Sequence, residues 1–174
     1  PKDILMGLGQ YDDLSKVEHR TYQPRLKAET SEIDKAVSMI ASAKKPLFYC
    51  GGGVINSGPK ACRQLDRFVK LTGAPITLTL MGLGAYPGTD KQFLGMLGMH
   101  GTYEANLAMH NADLIIAVGS RFDDRITGRL DAFAPKSKKI HIDIDPSSIN
   151  KNVQVDLPIV GDVGNILDQV LKTW

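Results

Sequence analysis

The chain has 174 residues, of which 43% are apolar and 23% are charged, and its formal net charge of +2 is typical of a globular protein rather than a nucleic-acid binder. It contains no apolar run of about 18 residues, which a membrane helix would need, and its first residues do not form a secretory signal, so we expect a cytoplasmic protein without a membrane segment. Two cysteines are too few for a disulfide framework or a four-cysteine zinc site.

Residues 1–28 show no sustained hydrophobic period, and we interpret them as a linker or leading segment before one folded domain at 29–174. Within that domain, apolar spacing predicts helices at about 31–43, 58–72, 102–111 and 163–173. The expected N-caps of the first three helices are Thr30 or Ser31, Asn56 or Ser57, and Thr102. Apolar and β-branched runs predict strands at 46–50, 75–80, 113–118, 139–144 and 153–160.

Buried strands that alternate with helices indicate βαβ units. We therefore predict an α/β fold, a doubly wound, Rossmann-like sheet of five to six parallel strands with helices on both faces. Ligands of such sheets bind at the carboxyl ends of the strands, near the point where the strand order reverses. Because the glycines cluster after the predicted strands, we expect a ligand site at that edge of the sheet.

The first glycine cluster, Gly51, Gly52 and Gly53, directly follows a predicted strand. Missing side chains there let a phosphate group approach main-chain amides, and a helix N-terminus favours negative charge. The same cluster could equally form a tight strand-to-helix turn with no ligand. It has neither the G-x-G-x-x-G spacing of an NAD-type turn nor the Lys and Ser/Thr of a P-loop, so a nucleotide site requires several strand ends together.

Three further strand ends carry chemistry that suits a nucleotide. Residues 79–84 bring a hydroxyl group and exposed main chain, and residues 119–125 bring two arginines and two aspartates. Arg121 suits a bidentate phosphate contact, although a salt-bridge cluster with the aspartates is the alternative. Asp143 could accept hydrogen bonds from ribose hydroxyls or act as a helix N-cap or turn aspartate.

Residues 94–101 (L-G-M-L-G-M-H-G) suit a flat ring lying against the main chain, with core-filling methionine as the alternative. The four histidines lack the spacing of metal ligands, so we expect no metal site. His141 lies within a strand and is expected to be a hydrogen-bonded core or sheet-surface residue. Cys50 and Cys62 are expected to be inert, and we predict no catalytic residue in the chain.

Four segments taken together resemble one family: 48–53 (F-Y-C-G-G-G), 79–84 (T-L-M-G-L-G), 97–101 (L-G-M-H-G) and 119–128 (G-S-R-F-D-D-R-I-T-G). Over essentially its whole length the chain is similar to the central domain of the catalytic subunit of acetolactate synthase, also called acetohydroxyacid synthase. The segments 141–145 (H-I-D-I-D) and 160–163 (V-G-D-V) follow in the same order. The resemblance implies a DHS-like NAD/FAD-binding domain of a larger three-domain subunit.

Enzymes of that family use thiamine diphosphate and Mg²⁺, which the two flanking domains bind across a dimer interface, to decarboxylate pyruvate. The remaining two-carbon unit joins pyruvate or 2-ketobutyrate to give 2-acetolactate or 2-aceto-2-hydroxybutyrate for branched-chain amino acid biosynthesis. The central domain holds FAD, which has no net redox role. The resemblance therefore implies a homodimer or tetramer of full subunits, a small regulatory subunit as a further partner, and an isolated domain without activity.

The resemblance also implies which residues contact FAD. They belong to the strand-end segments and to the L-G-M-H-G segment: Gly51, Gly52, Gly53, Thr79, Leu80, Met81, Leu97, Gly98, Met99, His100, Gly119, Ser120, Arg121, Asp123, Arg125, Ile126, Asp143, Ile144, Asn150, Gly161, Asp162 and Val163. In the family the substrate channel passes Met99, His100, Asp124 and Arg125. Ser120 and Cys50 depart from the small apolar residues expected there, and Ser120 could alter a flavin contact.

Two other interpretations stay open at this point. A sirtuin-like NAD-dependent deacylase has a similar sheet topology, but it usually carries a four-cysteine zinc module, and this chain has two cysteines. The central domains of some thiamine enzymes bind no nucleotide and act as scaffolds. A scaffold of that kind would be colourless, whereas a flavoprotein absorbs visible light.

Overall fold

A computed structural model of the protein describes residues 6–9 and 25–174, so most of the predicted leading segment at 1–28 lies outside the described residues. The described chain forms a sheet of six parallel strands in the order β3-β2-β1-β4-β5-β6. The strands are β1 Pro46–Cys50, β2 Ile76–Leu78, β3 Phe93–Met96, β4 Leu114–Val118, β5 Lys138–Asp143 and β6 Leu157–Val160. The helices are α1 Thr30–Ser42, α2 Gly52–Asn56, α3 Pro59–Thr72, α4 Tyr103–Asn111, α5 Asp124–Thr127 and α6 Val163–Thr173.

Both faces of the sheet are buried. Alternate residues of each central strand point to opposite faces, and each face packs in its own apolar cluster. Phe48, Ile116 and Ile140 are register partners on the face covered by α1, α3 and α6. Their neighbours Tyr49 and Ala117 point to the other face, which α4 and the segment around Phe122 cover. Burial on both sides explains the uninterrupted apolar runs of these strands and confirms the doubly wound α/β prediction.

The predicted helices are present, with corrections at their N-termini. α1 begins at a capping box in which Glu29 is the N-cap and Glu32 bonds back to its amide, rather than at Thr30 or Ser31. Thr102 caps α4 as predicted, accepting a hydrogen bond from the amide of Ala105. Among the described residues, no helix has the length and apolar character needed to cross a membrane.

The N-cap of α3 was predicted wrongly. A one-turn helix, α2, begins within the first glycine cluster, with Gly51 as its N-cap, and includes Asn56, so neither Asn56 nor Ser57 caps α3. The N-cap is Gly58 at φ 99°, which is followed by Pro59 at the start of the helix. Gly73, at φ 71°, ends α3 in the left-handed conformation, as expected of a C-terminal glycine.

The strand predictions need three corrections. The predicted strand 75–80 shrinks to β2, because a one-turn 3₁₀ helix begins at Leu80. β3 was not predicted as a strand, because its four residues (F-L-G-M) include a glycine and no β-branched residue. The predicted strand 153–160 shrinks to β6, since Asn150 adopts φ 58° and its side-chain oxygen accepts a hydrogen bond from the amide of Val155. That local turn leaves residues 153–155 out of β6, and the chain meets β5 at Asp156, whose amide donates a 2.9 Å hydrogen bond to the carbonyl of Lys139.

Candidate functional site

A cleft of about 800 Å³ lies at the carboxyl edge of the sheet, where the strand order reverses between β1 and β4. Cofactor sites in proteins commonly have volumes of about 300–1,000 Å³, and this position is the usual ligand site of open parallel sheets. Sixteen of the predicted FAD contacts line the cleft: Gly51, Gly52, Gly53, Thr79, Leu80, Met81, Gly119, Ser120, Arg121, Asp123, Arg125, Ile126, Asp143, Ile144, Asp162 and Val163.

The floor of the cleft is formed by close contact between two glycine turns. A Cβ atom added to Gly53 would lie 2.7 Å from the Cα of Gly119, and one added to Gly51 would lie 2.5 Å from the carbonyl oxygen of Gly119. The amide of Gly53 donates a 2.9 Å hydrogen bond to that same carbonyl. These glycines are therefore required by packing between the turns after β1 and β4, as the tight-turn interpretation expected, and the contact also shapes the cleft.

Arg121 stands on the rim with its guanidinium 3.1 Å from the carboxylate of Asp123, so the predicted Arg–Asp pair exists. The two side chains are 60% and 45% exposed. An exposed ion pair contributes about 0–1 kcal/mol, and its cation can readily turn to another anion. The salt bridge and a phosphate contact are thus compatible uses of this arginine.

The main chain of the Arg121 segment is held from below by a buried polar network. The hydroxyl of Ser120 donates to the carbonyl of Tyr49 at 2.9 Å, and the phenol of Tyr49 donates to the carbonyl of Arg121 at 2.6 Å. Burial, and then the charge of Asp123, raise the pKa of Tyr49, so the phenol stays protonated and remains a donor. Ser120 thus fixes the loop, which gives its hydroxyl a role within the protein.

Two further aspartates line the cleft, Asp143 in a turn and Asp162 at the N-terminus of α6. Oδ1 of Asp143 accepts a 2.9 Å hydrogen bond from the amide of Asp145, so the turn-aspartate interpretation holds for a residue that also lines the cleft. Asp162 caps α6 through the amide of Asn165 and accepts a 2.8 Å hydrogen bond from the hydroxyl of Ser57. Both carboxylates are thereby oriented by main chain near them.

Sequence reasoning missed several residues that line the cleft: Tyr49, Ile55, Asn56, Ser57 and Ser148. Ser57 joins distant parts of the chain, because its oxygen also accepts a 2.9 Å hydrogen bond from the amide of Gly164. No local signal identifies such a long-range contact. Tyr49 could have been found, since an aromatic hydroxyl one residue before the end of a buried strand must find a partner nearby.

Six predicted FAD contacts do not line the cleft: Leu97, Gly98, Met99, His100, Asn150 and Gly161. Leu97 is buried in the core on the α4 side of the sheet. Gly161 donates from its amide to the carbonyl of Asp143 and packs against Ile166, while Asn150 forms the turn before β6. Contact between these six residues and FAD stays a prediction.

The L-G-M-H-G segment meets the rim of the cleft at Arg125. The amide of Met99 donates a 3.0 Å hydrogen bond to the carbonyl of Arg125, and a Cβ atom on Gly98 would lie 2.6 Å from that oxygen. Met99, His100 and Asp124 are exposed beside it. The structure therefore brings the predicted channel residues together. A glycine is required at position 98 both by this close packing and by its φ of 95°.

Cys50 is fully buried in β1, and burial raises the pKa of its thiol, so the thiol stays neutral and unreactive at physiological pH. Cys62 is a free, partly buried thiol on α3. Within residues 6–9 and 25–174, no group of three or more His, Cys, Asp or Glu side chains is arranged to hold a metal ion.

His141 differs from its prediction. Its side chain is 1% exposed, but neither ring nitrogen has a hydrogen-bond partner among the described residues. The expectation of a hydrogen-bonded histidine is therefore wrong. The sequence could not show this, because the surroundings of β5 on that face come from Phe122, far away in the chain.

The strand order and the cleft at its reversal point define a doubly wound α/β domain with its candidate ligand site at the carboxyl edge of the sheet. Comparison with known families narrows this class. A family model described as "Thiamine pyrophosphate enzyme, central domain" matches residues 33–170, and the chain belongs to that family. The match favours the central-domain interpretation over a sirtuin-like one.

Individual relatives are similar along nearly the whole chain. The chain is 52% identical over 161 residues to the acetolactate synthase large subunit of Haemophilus influenzae. The aligned region covers 92% of the chain and 28% of that relative. The chain is 48% identical over 174 residues to the acetolactate synthase isozyme 3 large subunit of Escherichia coli, covering 99% of the chain and 30% of the relative. An acetolactate synthase of Mycobacterium bovis is 46% identical over 171 residues, and the aligned region covers 98% of the chain and 27% of that relative. The chain thus spans less than a third of the length of these curated relatives.

Proposed function

We propose that the chain is the FAD-binding central domain of an acetolactate synthase catalytic subunit. The observation that carries the proposal is the cleft of about 800 Å³, whose rim gathers the glycine turns and Arg121 in a chain 52% identical to an acetolactate synthase large subunit. The proposed subunit condenses two pyruvates, or pyruvate and 2-ketobutyrate, with release of CO₂. The products, 2-acetolactate and 2-aceto-2-hydroxybutyrate, lead to branched-chain amino acids in the cytoplasm.

The chemistry of the cleft suits a flavin dinucleotide along its whole length. Arg121 and the main chain of the Gly51–Gly53 turn would hold the diphosphate, since a guanidinium and bare amides both bind phosphate oxygens. Asp143 would accept hydrogen bonds from ribose hydroxyls. Leu80 and Met81 are 68% and 74% exposed at the other wall, and a flat apolar ring lying against them would cover that surface.

The remaining chemistry of the proposed enzyme would be supplied elsewhere in the polypeptide. Thiamine diphosphate, with Mg²⁺, supplies the decarboxylation and carbon–carbon bond formation when bound. This chain would bind and orient FAD and border the substrate channel with Met99, His100, Asp124 and Arg125. The full subunits would associate as a homodimer or tetramer, with a small regulatory subunit as a further partner.

The proposal is tested by purifying the intact polypeptide that carries these residues. We expect FAD to be released on denaturation, and acetolactate to form from pyruvate only when thiamine diphosphate and Mg²⁺ are added. Removal of flavin should abolish the activity, and addition of FAD should restore it. A colourless protein that still forms acetolactate would support the nucleotide-free scaffold instead, and a protein without either property would overturn the whole proposal.

A further inference from the structure

His141 is a buried polar side chain with an unmet hydrogen-bonding need. It is 1% exposed, and both of its ring nitrogens lack a partner among the described residues. Leaving a buried polar group unsatisfied costs about 1–3 kcal/mol. An apolar side chain of similar size would avoid this cost at a position that packs against Phe122, so packing alone does not explain a histidine here.

The nearest charged group to the imidazole is a carboxylate of the cleft. Nε2 of His141 lies 3.7 Å from Oδ2 of Asp143, two residues along the same strand. The other oxygen of that carboxylate, Oδ1, already accepts a 2.9 Å hydrogen bond from the amide of Asp145. Oδ2 is therefore the free acceptor, placed between the buried imidazole and the cleft that Asp143 lines.

The imidazole is held in this orientation by its surroundings. The Phe122 ring packs against it edge-to-face, with the ring centres 5.3 Å apart at 78°. Phe122 is itself fixed, because its carbonyl accepts a 2.8 Å hydrogen bond from the side chain of Asn152. The 3.7 Å separation exceeds a hydrogen bond of about 2.9 Å, so the inferred contact requires the imidazole and the carboxylate to move closer together.

We propose that His141 is a positioning residue for the cleft. With its proton on Nε2, it donates to Oδ2 of Asp143 and aims the remaining lone pairs of the carboxylate at the hydroxyl groups of a bound ribose. The ligand class is a nucleotide with free ribose hydroxyls, and the inference rests on the proposed function for the identity of that nucleotide, FAD. His141 itself does not touch the ligand; it acts through Asp143.

The test uses the intact polypeptide and two replacements of His141. His141→Leu removes the donor and keeps the bulk, whereas His141→Gln places an amide N–H near the original Nε2. We expect His141→Leu to weaken FAD binding by about fivefold and His141→Gln to stay within about twofold of the wild type. In an Asp143→Ala background, His141→Leu should cause no further loss. Ile140→Val, next to it on the opposite face, controls for a general disturbance of β5 and should leave FAD binding unchanged.

A second measurement separates this inference from the proposed function. The ¹⁵N chemical shifts of the His141 ring report its protonation and hydrogen bonding without any flavin. They should show the proton on Nε2 and should change when Asp143 is replaced by Ala. A wild type that binds no FAD would refute the proposed function, and these shifts would still decide the His141–Asp143 contact. Equal FAD affinity of wild type and His141→Leu, or ring shifts that do not respond to Asp143→Ala, would overturn the inference.

Discussion

The phenol of Tyr49 donates a 2.6 Å hydrogen bond to the main-chain carbonyl of Arg121, across 72 residues of sequence. The bond joins the end of β1 to the loop after β4, on the two sides of the point where the strand order reverses. The arginine proposed to bind phosphate is therefore attached to the rigid sheet rather than to a free loop. The placement of Arg121 therefore depends on Tyr49, a residue that does not need to touch the phosphate.

Replacing Tyr49 by Phe should loosen this attachment without emptying the core. The carbonyl of Arg121 loses its donor, and we expect the free energy of unfolding to fall by about 1–2 kcal/mol and FAD affinity to fall by about threefold. Denaturant unfolding and flavin fluorescence titration measure the two effects. Tyr103→Phe, which removes the hydroxyl of a tyrosine that is 75% exposed, is the matched control and should change neither quantity. Wild-type stability and affinity in Tyr49→Phe would contradict the assigned role.

The central strands were predictable because their residues are buried on both faces, which leaves a continuous apolar run for β1 and β4. β3 could not be predicted, because this edge strand is stabilised by contacts with its neighbour β2 rather than by its own sequence. The hydroxyl of Thr77 in β2 donates a 2.9 Å hydrogen bond to the carbonyl of Gly95. Tertiary contacts of this kind override weak local propensity. The beginning of the segment 94–101 therefore has the sequence pattern of a loop but folds as part of a strand.

The location of the cleft could also be predicted, since parallel strands deliver their carboxyl ends to one edge. The partner of the glycine turn could not be predicted. For Gly51 and Gly53 the sequence left a phosphate-facing opening and a tight turn equally possible, whereas the structure shows that the missing side chains of Gly51, Gly53 and Gly119 let two distant turns touch. The Ser57–Asp162 hydrogen bond could not be predicted either, because it joins residues 105 positions apart in the sequence.

The turn contact makes a direct prediction about stability. A Cβ at Gly53 would lie 2.7 Å from the Cα of Gly119, where both neighbours are main chain and cannot move aside cheaply. Gly53→Ala should therefore lower the free energy of unfolding by about 2 kcal/mol. Thermal or denaturant unfolding measures the change. Gly88→Ala is the control, since a Cβ there would meet only the Phe93 ring at 3.8 Å. Equal stability of the two variants would show that the turns after β1 and β4 do not pack as described.

Lys139 makes a prediction about pH. Burial lowers the pKa of its ammonium group, although the charge of Asp156 acts in the opposite direction. Below that lowered pKa the lysine is protonated in both states. As pH rises from the folded-state pKa toward the ordinary value, the unfolded chain holds the proton more tightly, so deprotonation favours the folded state and stability rises.

The comparison that isolates this effect is wild type against Lys139→Met. Other groups that titrate at alkaline pH act on both proteins, so the difference between their free energies of unfolding reports Lys139 alone. That difference should shift in favour of the wild type as pH is raised toward the ordinary lysine range. The Lys139 nitrogen donates a 2.9 Å hydrogen bond to the carbonyl of Ser137, and a neutral amine can still donate this bond after deprotonation. A difference independent of pH would contradict the assignment.

The central claim, that the cleft holds FAD through Arg121, is tested most directly by flavin titration of the intact polypeptide with Arg121→Ala. Arg129→Ala is the matched control, because Arg129 also pairs with an aspartate two residues ahead, Asp131 at 2.8 Å, but is not among the residues that line the cleft. We predict a loss of FAD affinity of about tenfold or more for Arg121→Ala and a change below about twofold for Arg129→Ala. Equal affinity of Arg121→Ala and the wild type would contradict the account.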